Sequence, residues 1–221
     1  MNVESRDSVS LKPPELDEFG QLAGDAGLRL PDESIDTQVE AFPLIARAAA
    51  DDEVHGFLFG SLERIGGTPC ILWGLGAIRR SRQSNAVLRG LVAELYRRAA
   101  ISFPDEDVLV AGRFAHPSTY ALLADLEDVC PRPGYTPTGE ERAWGRRLAR
   151  RFGCDARYDD RAFRLSRNGA AEPILDGSVV KAGGKKASEA VSKLDPKTGE
   201  ALIAFGWAMA ESLADGLGSV A

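Results

Sequence analysis

The sequence predicts a mixed α/β fold, one central β-sheet flanked by helices, on three observations. Two apolar β-like runs, HGFLFGSLERI (55–65) and TPCILWGLGAI (68–78), are joined by Gly66 and Gly67, a hairpin signal that makes them adjacent antiparallel strands. The next segment sets Leu88, Leu91, Val92, Leu95 and Ala99 on one face of a helix. After it comes DVLVAGRF (107–114), a short apolar run bounded by turn residues, so a crossover helix connects it to 68–78 and the two strands are parallel.

The remaining elements follow in chain order. Residues 1–35 are rich in Pro, Asp and Gly with little periodicity, which predicts an irregular lead-in before a single domain over 36–221. DTQVEAFPLIARAAA (36–50) has a helix-like apolar face of Val39, Phe42, Leu44, Ile45 and Ala48, which Pro43 must cap, kink or split. Ser84 or Asn85 is the expected N-cap of the helix after the hairpin. HPSTYALLADLED (116–128) places Pro117 in a first helical turn, with Tyr120, Leu123 and Leu122, Leu126 at helical spacing. Prolines 131, 133 and 137 break the chain before Thr138 and Glu141, which have the spacing of a capping box. Trp144, Leu148 and Phe152 then form an apolar stripe over a helix at 139–152. RAFRLSR (161–167) fits one more strand, and 168–195, which contains KAGGKKASEAVSK, is expected to be a flexible loop. GEALIAFGW fits a final strand, or a helix continuing into AMAESLADGL.

Composition narrows the function. The chain has 221 residues, 44% hydrophobic, enough for one sizeable core. No run of eighteen apolar residues and no secretion-signal pattern occur, so a soluble, cytoplasmic protein with no membrane partner is expected. Three separated cysteines and two histidines indicate neither a disulfide framework nor a metal site. A net charge of −6 argues against general nucleic-acid binding, although two regions are basic. One is 79–98; the other is 142–167, whose nine arginines include an ordinary amphipathic helix face.

The first of these regions is the candidate site. In GAIRRSRQSNAVLRG (76–90), a strand ends in a turn of small polar residues and a helix begins, so free N–H groups and the helix dipole converge there. Arg79, Arg80 and Arg82 add charge-assisted donors, and Ser84 and Asn85 add neutral ones, which suits a pyrophosphate. A solvated strand-to-helix turn is the alternative. Neither GxxxxGK[ST] nor GxGxxG is present.

A strand ending in a basic turn of the form Q/R-x-x-G-x-G/A and leading into a helix is the acyl-coenzyme A signature of the GNAT superfamily of N-acetyltransferases. The stretch QSNAVL, from Gln83 to Leu88, resembles it, with Ala86 and Leu88 in the two small-residue positions. The downstream order, DVLVAGRF and then HPSTY, resembles the rest of that fold, and the resemblance spans about 36–167. It implies a GNAT-like sheet and acetyl-CoA or another acyl-CoA as donor, held by Ala77, Ile78, Arg79, Arg80, Arg82, Gln83, Ser84, Asn85 and Ala86. His116 stands near the position of an Asn that contacts the pantetheine arm in the family. Tyr120, only four residues on where the family spaces its acid by about seven, takes the place of the Tyr that protonates the leaving thiolate.

Acyl transfer to an amine needs a proton acceptor, and Glu63 or His55 is the candidate, directly or through water. For Tyr120 the plainer alternative is a core aromatic, for His116 a helix cap, for His55 a strand-edge residue. Cys70 reads as a small buried residue rather than a nucleophile. The leading function is thus an acyltransferase acting on an amine of a small molecule. The alternatives are a GNAT-like enzyme taking its acyl group from aminoacyl-tRNA, which the arginines of 142–167 would suit, and a GNAT-like module without activity. Dimerisation is common among proteins of that kind, and the segment with Trp207 and Met209 is where a homodimer would pack.

Overall fold

The computed structural model describes residues 1–214 apart from 29, 32, 33, 52, 182 and 183. The strands are β1 (Asn2–Asp7), β2 (Leu44–Ala50), β3 (Glu53–Ile65), β4 (Thr68–Ile78), β5 (Val108–Phe114), β6 (Glu127–Cys130), β7 (Tyr158–Asp159), β8 (Arg164–Leu165) and β9 (Ala201–Ala208). The helices are α1 (Pro13–Asp25), α2 (Ser34–Ala41), α3 (Ser84–Ser102), α4 (Pro117–Tyr120), α5 (Gly139–Arg151), α6 (Lys185–Val191) and α7 (Ala210–Ala214). They build the expected mixed sheet, in the order β1-β2-β3-β4-β5-β9-β8-β7, with β6 also on β9.

Besides the helix expected over 116–128, whose α-helical part ends at Tyr120 as α4 and whose last residues enter β6, four expectations need correction. Residues 1–35 are not an irregular lead-in: β1 pairs antiparallel with β2, and α1 buries Phe19, Leu22 and Ala23. Its start is set by a proline in the first turn and by Glu15, whose carboxylate accepts the Lys12 N–H. The stretch 36–50 is not one helix, because Pro43 separates α2 from β2. The alanines of β2 form a strand against their helical preference, since the slot between β1 and β3 supplies a ladder on both edges. The third correction concerns 168–195, expected as a flexible loop: it carries α6, with Ala187 and Val191 buried, and a segment at 172–178 packed into the sheet. Last, Ser84 and Asn85 do not cap α3. Gln83 holds the N-cap position without a side-chain bond.

The ambiguous C-terminal run is a strand, β9, between β5 and β8, and the strand expected over 161–167 shrinks to β8. The hairpin β3–β4, the helix α3 and the parallel pair β4/β5 stand as the patterns predict. The capping box before α5 forms in both directions, Thr138 N–H to Glu141 and Glu141 N–H to Thr138.

Two cores sandwich the sheet. One, against α3, α4 and α6, gathers Leu58, Trp73, Leu91, Leu95, Val110 and Phe114; the other, against α1, α2 and α5, gathers Phe19, Phe57, Phe59, Leu72, Leu148 and Phe205. α3 lies close on β3 because Gly56 has no side chain: a Cβ there would stand 2.7 Å from a Val87 methyl. At about 0.8 kcal/mol per buried CH2, these two layers supply most of the driving force for folding.

Candidate functional site

β4 and β5 pair in parallel from Cys70↔Leu109 to Trp73↔Gly112 and then part. β4 runs on to Ile78, so the sheet opens as a wedge between its last residues and the end of β5. Parallel strands that diverge at their carboxyl ends leave unpaired backbone groups and make a cleft. Beyond the wedge stand the turn 79–83 and the N-terminus of α3.

The wedge is filled by the chain itself. Residues 172–178 form a strap across it. Gly76 donates its N–H to the Ile174 carbonyl at 3.1 Å and accepts the Asp176 N–H at 2.8 Å, with Leu175 in a parallel bridge. Glu172 is held by Arg113 of β5 at 2.8 Å and by Arg157 at 2.6 Å. Asp176 takes the His116 Nε2 at 3.0 Å and the Ser178 hydroxyl at 2.8 Å, while Ser118 Oγ donates to the Gly177 carbonyl at 2.7 Å.

The candidate residues sort around this wedge. Ala77 and Ile78 are buried at the end of β4. Successive strand residues bond to opposite neighbours, so the groups of Ala77 turn to Phe57 of β3, and Gly76 is the residue whose backbone faces the wedge. Arg79 is tied down: its Nε donates to the Val54 carbonyl at 3.1 Å and lies 3.4 Å from Glu53. Arg80 and Arg82 are exposed, with no hydrogen-bond or ion-pair partner among the described residues. The turn satisfies part of its own backbone, since Ser84 Oγ accepts the Ser81 N–H at 2.8 Å and Ser81 Oγ accepts the Gln83 N–H at 3.1 Å. Asn85 and Ala86 are exposed on the first turn of α3, and Asn85 with Arg89 lines a cavity of about 220 Å3 between α3 and α4. Tyr96 lines the same cavity, and its hydroxyl is buried without a partner among the described residues; burial, with the nearby Asp125 charge, raises its pKa.

His116 stands at the mouth of the wedge, half-exposed and oriented by Asp176, an arrangement that selects one imidazole tautomer. Tyr120 is close in sequence but committed elsewhere. Its hydroxyl donates to the Pro131 carbonyl and its ring packs edge-on against Phe114 at 6.1 Å. Burial first, and then Cys130, pushes the phenol up to about 12 against the pull of Arg132. His55 borders the turn, its carbonyl accepting the Arg79 N–H at 2.8 Å, and its Nδ1 is buried without a partner among the described residues.

Glu63 is not gathered with these residues. It pairs across from Cys70, toward the far end of β4, and grips Arg151 with both oxygens at 2.6 and 2.8 Å. Burial alone would raise its carboxyl, but the bonds from Arg151 and Ser61 outweigh it and hold the pKa below the usual range, which suits a structural anion rather than a base.

The other basic region is neutralised in part by internal ion pairs. Arg146, Arg151, Arg157, Arg164 and Arg167 each pair with an acid, and Arg147 lies over the Trp144 ring at 4.9 Å. Arg142, Arg147, Arg150 and Arg161 have no acid partner among the described residues, and the last three are exposed. Among the described residues no cluster of three or more metal-ligating side chains occurs, and no helix is long and apolar enough to cross a membrane.

Sequence reasoning missed Glu172, Asp176, Arg113 and Ser118. The run EPILDG (172–177) has only two apolar residues between charged ends, below any periodicity signal, and its partner Gly76 lies about a hundred residues away.

No family model matches the chain, and no curated protein does. Solved structures that match it include the aminoglycoside 6'-N-acetyltransferase of Enterococcus faecium, 20% identical, over 50% of this chain and 61% of that one, at a TM-score of 0.40. A GNAT-family protein of Desulfovibrio desulfuricans matches at 17% over 56% and 80%, with a TM-score of 0.41. A GNAT-family acetyltransferase of Brucella melitensis, solved with acetyl-CoA, matches at 18% over 49% and 75%, with a TM-score of 0.34.

Proposed function

We propose that this chain is a GNAT-type N-acyltransferase that moves an acetyl or other acyl group from acyl-CoA to an amine of a small molecule. The observation that supports it is the wedge where β4 and β5 part, with Arg80, Arg82 and the start of α3 at its mouth. A cofactor with a charged pyrophosphate and a thin amide-bearing arm suits these two features together: cationic donors and a helix N-terminus for the phosphates, and for the amides the edge of β4 at Gly76, which strand β5 leaves and the strap 172–178 occupies.

At Gly76 a Cβ would stand 2.8 Å from the Phe57 carbonyl of β3 and 2.7 Å from a Leu175 methyl of the strap, so the bare backbone is what lets a chain lie close along this part of β4. The thioester supplies the acyl group. Of the chain's own residues, Arg80 and Arg82 hold phosphate, with Arg79 fixing the turn, and the Gly76 N–H faces the arm. His116, at the mouth of the slot and bonded to Asp176 while the strap is in place, carries the proton transfer in place of the tied Tyr120 hydroxyl.

Calorimetric titration with acetyl-CoA and with free CoA tests this reading. Micromolar binding is expected, weakened about tenfold by Arg80→Ala or Arg82→Ala through the loss of one charge-assisted contact. No binding to either ligand would sink it. The second reading is a binding module without turnover, favoured by the strap in the wedge and the committed hydroxyl of Tyr120; it predicts CoA binding with no acyl transfer.

A further inference from the structure

We infer that the strap, residues 172–178, is an internal occupant of the binding slot, and that a ligand with an extended amide-bearing arm must displace it; this rests on the acyl-CoA reading above. The reason is a conflict over one residue. Gly76 has one N–H and one carbonyl facing the wedge, and both are bonded to the strap, at 3.1 Å to the Ile174 carbonyl and 2.8 Å from the Asp176 N–H. Another chain laid along β4 needs the same two groups, so the occupants exclude each other.

The strap imitates a strand in its side chains as well. Ile174 and Leu175, both 1% exposed, point to opposite faces of the sheet and join the two different cores. The contact that lets it lie flat is the one at Gly76 described above. Yet the strap adds nothing to the continuous ladder: β5 keeps β9 on its other edge, and β4 keeps β3. It can leave without undoing the sheet.

Besides these central apolar and backbone contacts, the strap is fastened by polar side chains toward its ends. Glu172 is clasped by Arg113 and Arg157, Asp176 by His116, and the Gly177 carbonyl by Ser118. An equilibrium between a closed strap and an open slot lowers the apparent affinity for ligand by the open fraction, so the device sets a threshold for acyl-CoA binding.

Hydrogen exchange read by NMR on the whole protein, with and without saturating acetyl-CoA, tests this. The ligand should speed exchange at the Asp176 amide by about tenfold or more while the Gly76 amide stays protected, because its bond passes from strap to ligand. Leu175→Ala, which loosens the strap, should tighten acetyl-CoA binding by about tenfold through a larger open fraction; Ile174→Ala serves the same purpose from the other face if the first variant does not fold. Binding that leaves the Asp176 amide protected overturns the inference and leaves the acyl-CoA reading standing. A variant whose Asp176 amide exchanges freely and which still binds no acetyl-CoA ends the acyl-CoA reading and the competition with it. A strap that remains as protected in the variants as the β3–β4 hairpin is a fixed strand, and the inference falls whatever binds.

Discussion

Arg113 of β5 and Glu172 of the strap form an ion pair at 2.8 Å in which each side chain is only 4% exposed. Arg157 takes the second carboxylate oxygen at 2.6 Å, and the Arg113 guanidinium lies 5.0 Å above the Phe152 ring. Glu172 and Arg113 so placed are stable only together, because either left alone is a buried charge without its partner.

Glu172→Ala is therefore expected to destabilise the protein by about 3–5 kcal/mol, read from urea unfolding at constant m. Arg64→Ala, which breaks the solvent-exposed pair with Glu106, should shift the curve far less. Equal effects would mean that the buried pair is open to water.

Tyr120 predicts a loss of stability at alkaline pH. Burial pushes its phenol up to about 12, above the unfolded value near 10, so the folded chain holds this proton more tightly than the unfolded one. The stabilisation is complete below about pH 10 and fades as pH rises toward 12. Unfolding free energies measured between pH 8 and 11 should fall with pH, and Tyr120→Phe should make the fall shallower.

All three cysteines are free and buried, and burial above all pushes their thiols up, to about 12 for Cys70 and Cys130 and about 11 for Cys154. A thiol reagent at pH 7 should leave the native protein unmodified and label three groups in denaturant. Rapid labelling of one site in the native state would point to local opening around it.

The capping box at α5 can be tested by itself. Thr138→Ala removes the acceptor of the Glu141 N–H, at 3.2 Å, and should cost about 1 kcal/mol in thermal or urea unfolding. Thr138→Ser, which keeps the acceptor, should recover most of it.

How much could be read in advance depended on distance along the chain. Gly66 and Gly67 turn the hairpin within two residues, Leu88 to Ala99 carry α3 on one face, and Thr138 with Glu141 starts α5; each signal lies within its own element. β1 and β2 escaped because their evidence is mutual: the alanines of β2 become a strand only between β1 and β3. The basic turn was visible as Arg79, Arg80 and Arg82, but not that Arg79 is spent on Val54 and Glu53 while the other two are exposed with no partner among the described residues. Glu63 looked like a candidate base as an acid on a strand, and only the approach of Arg151, eighty-eight residues away, shows it to be bound.

By itself the sequence determined the mixed sheet, the crossover from β4 through α3 to β5, and the place of the basic turn at its opening, because periodicity and turn chemistry act over a few residues. Only the tertiary structure decided what fills that opening. The contacts of Gly76 with residues 174–176, of Arg113 with Glu172 and of His116 with Asp176 join segments about sixty to a hundred residues apart, and such pairings arise from complementary shape and charge in the folded chain rather than from any local pattern.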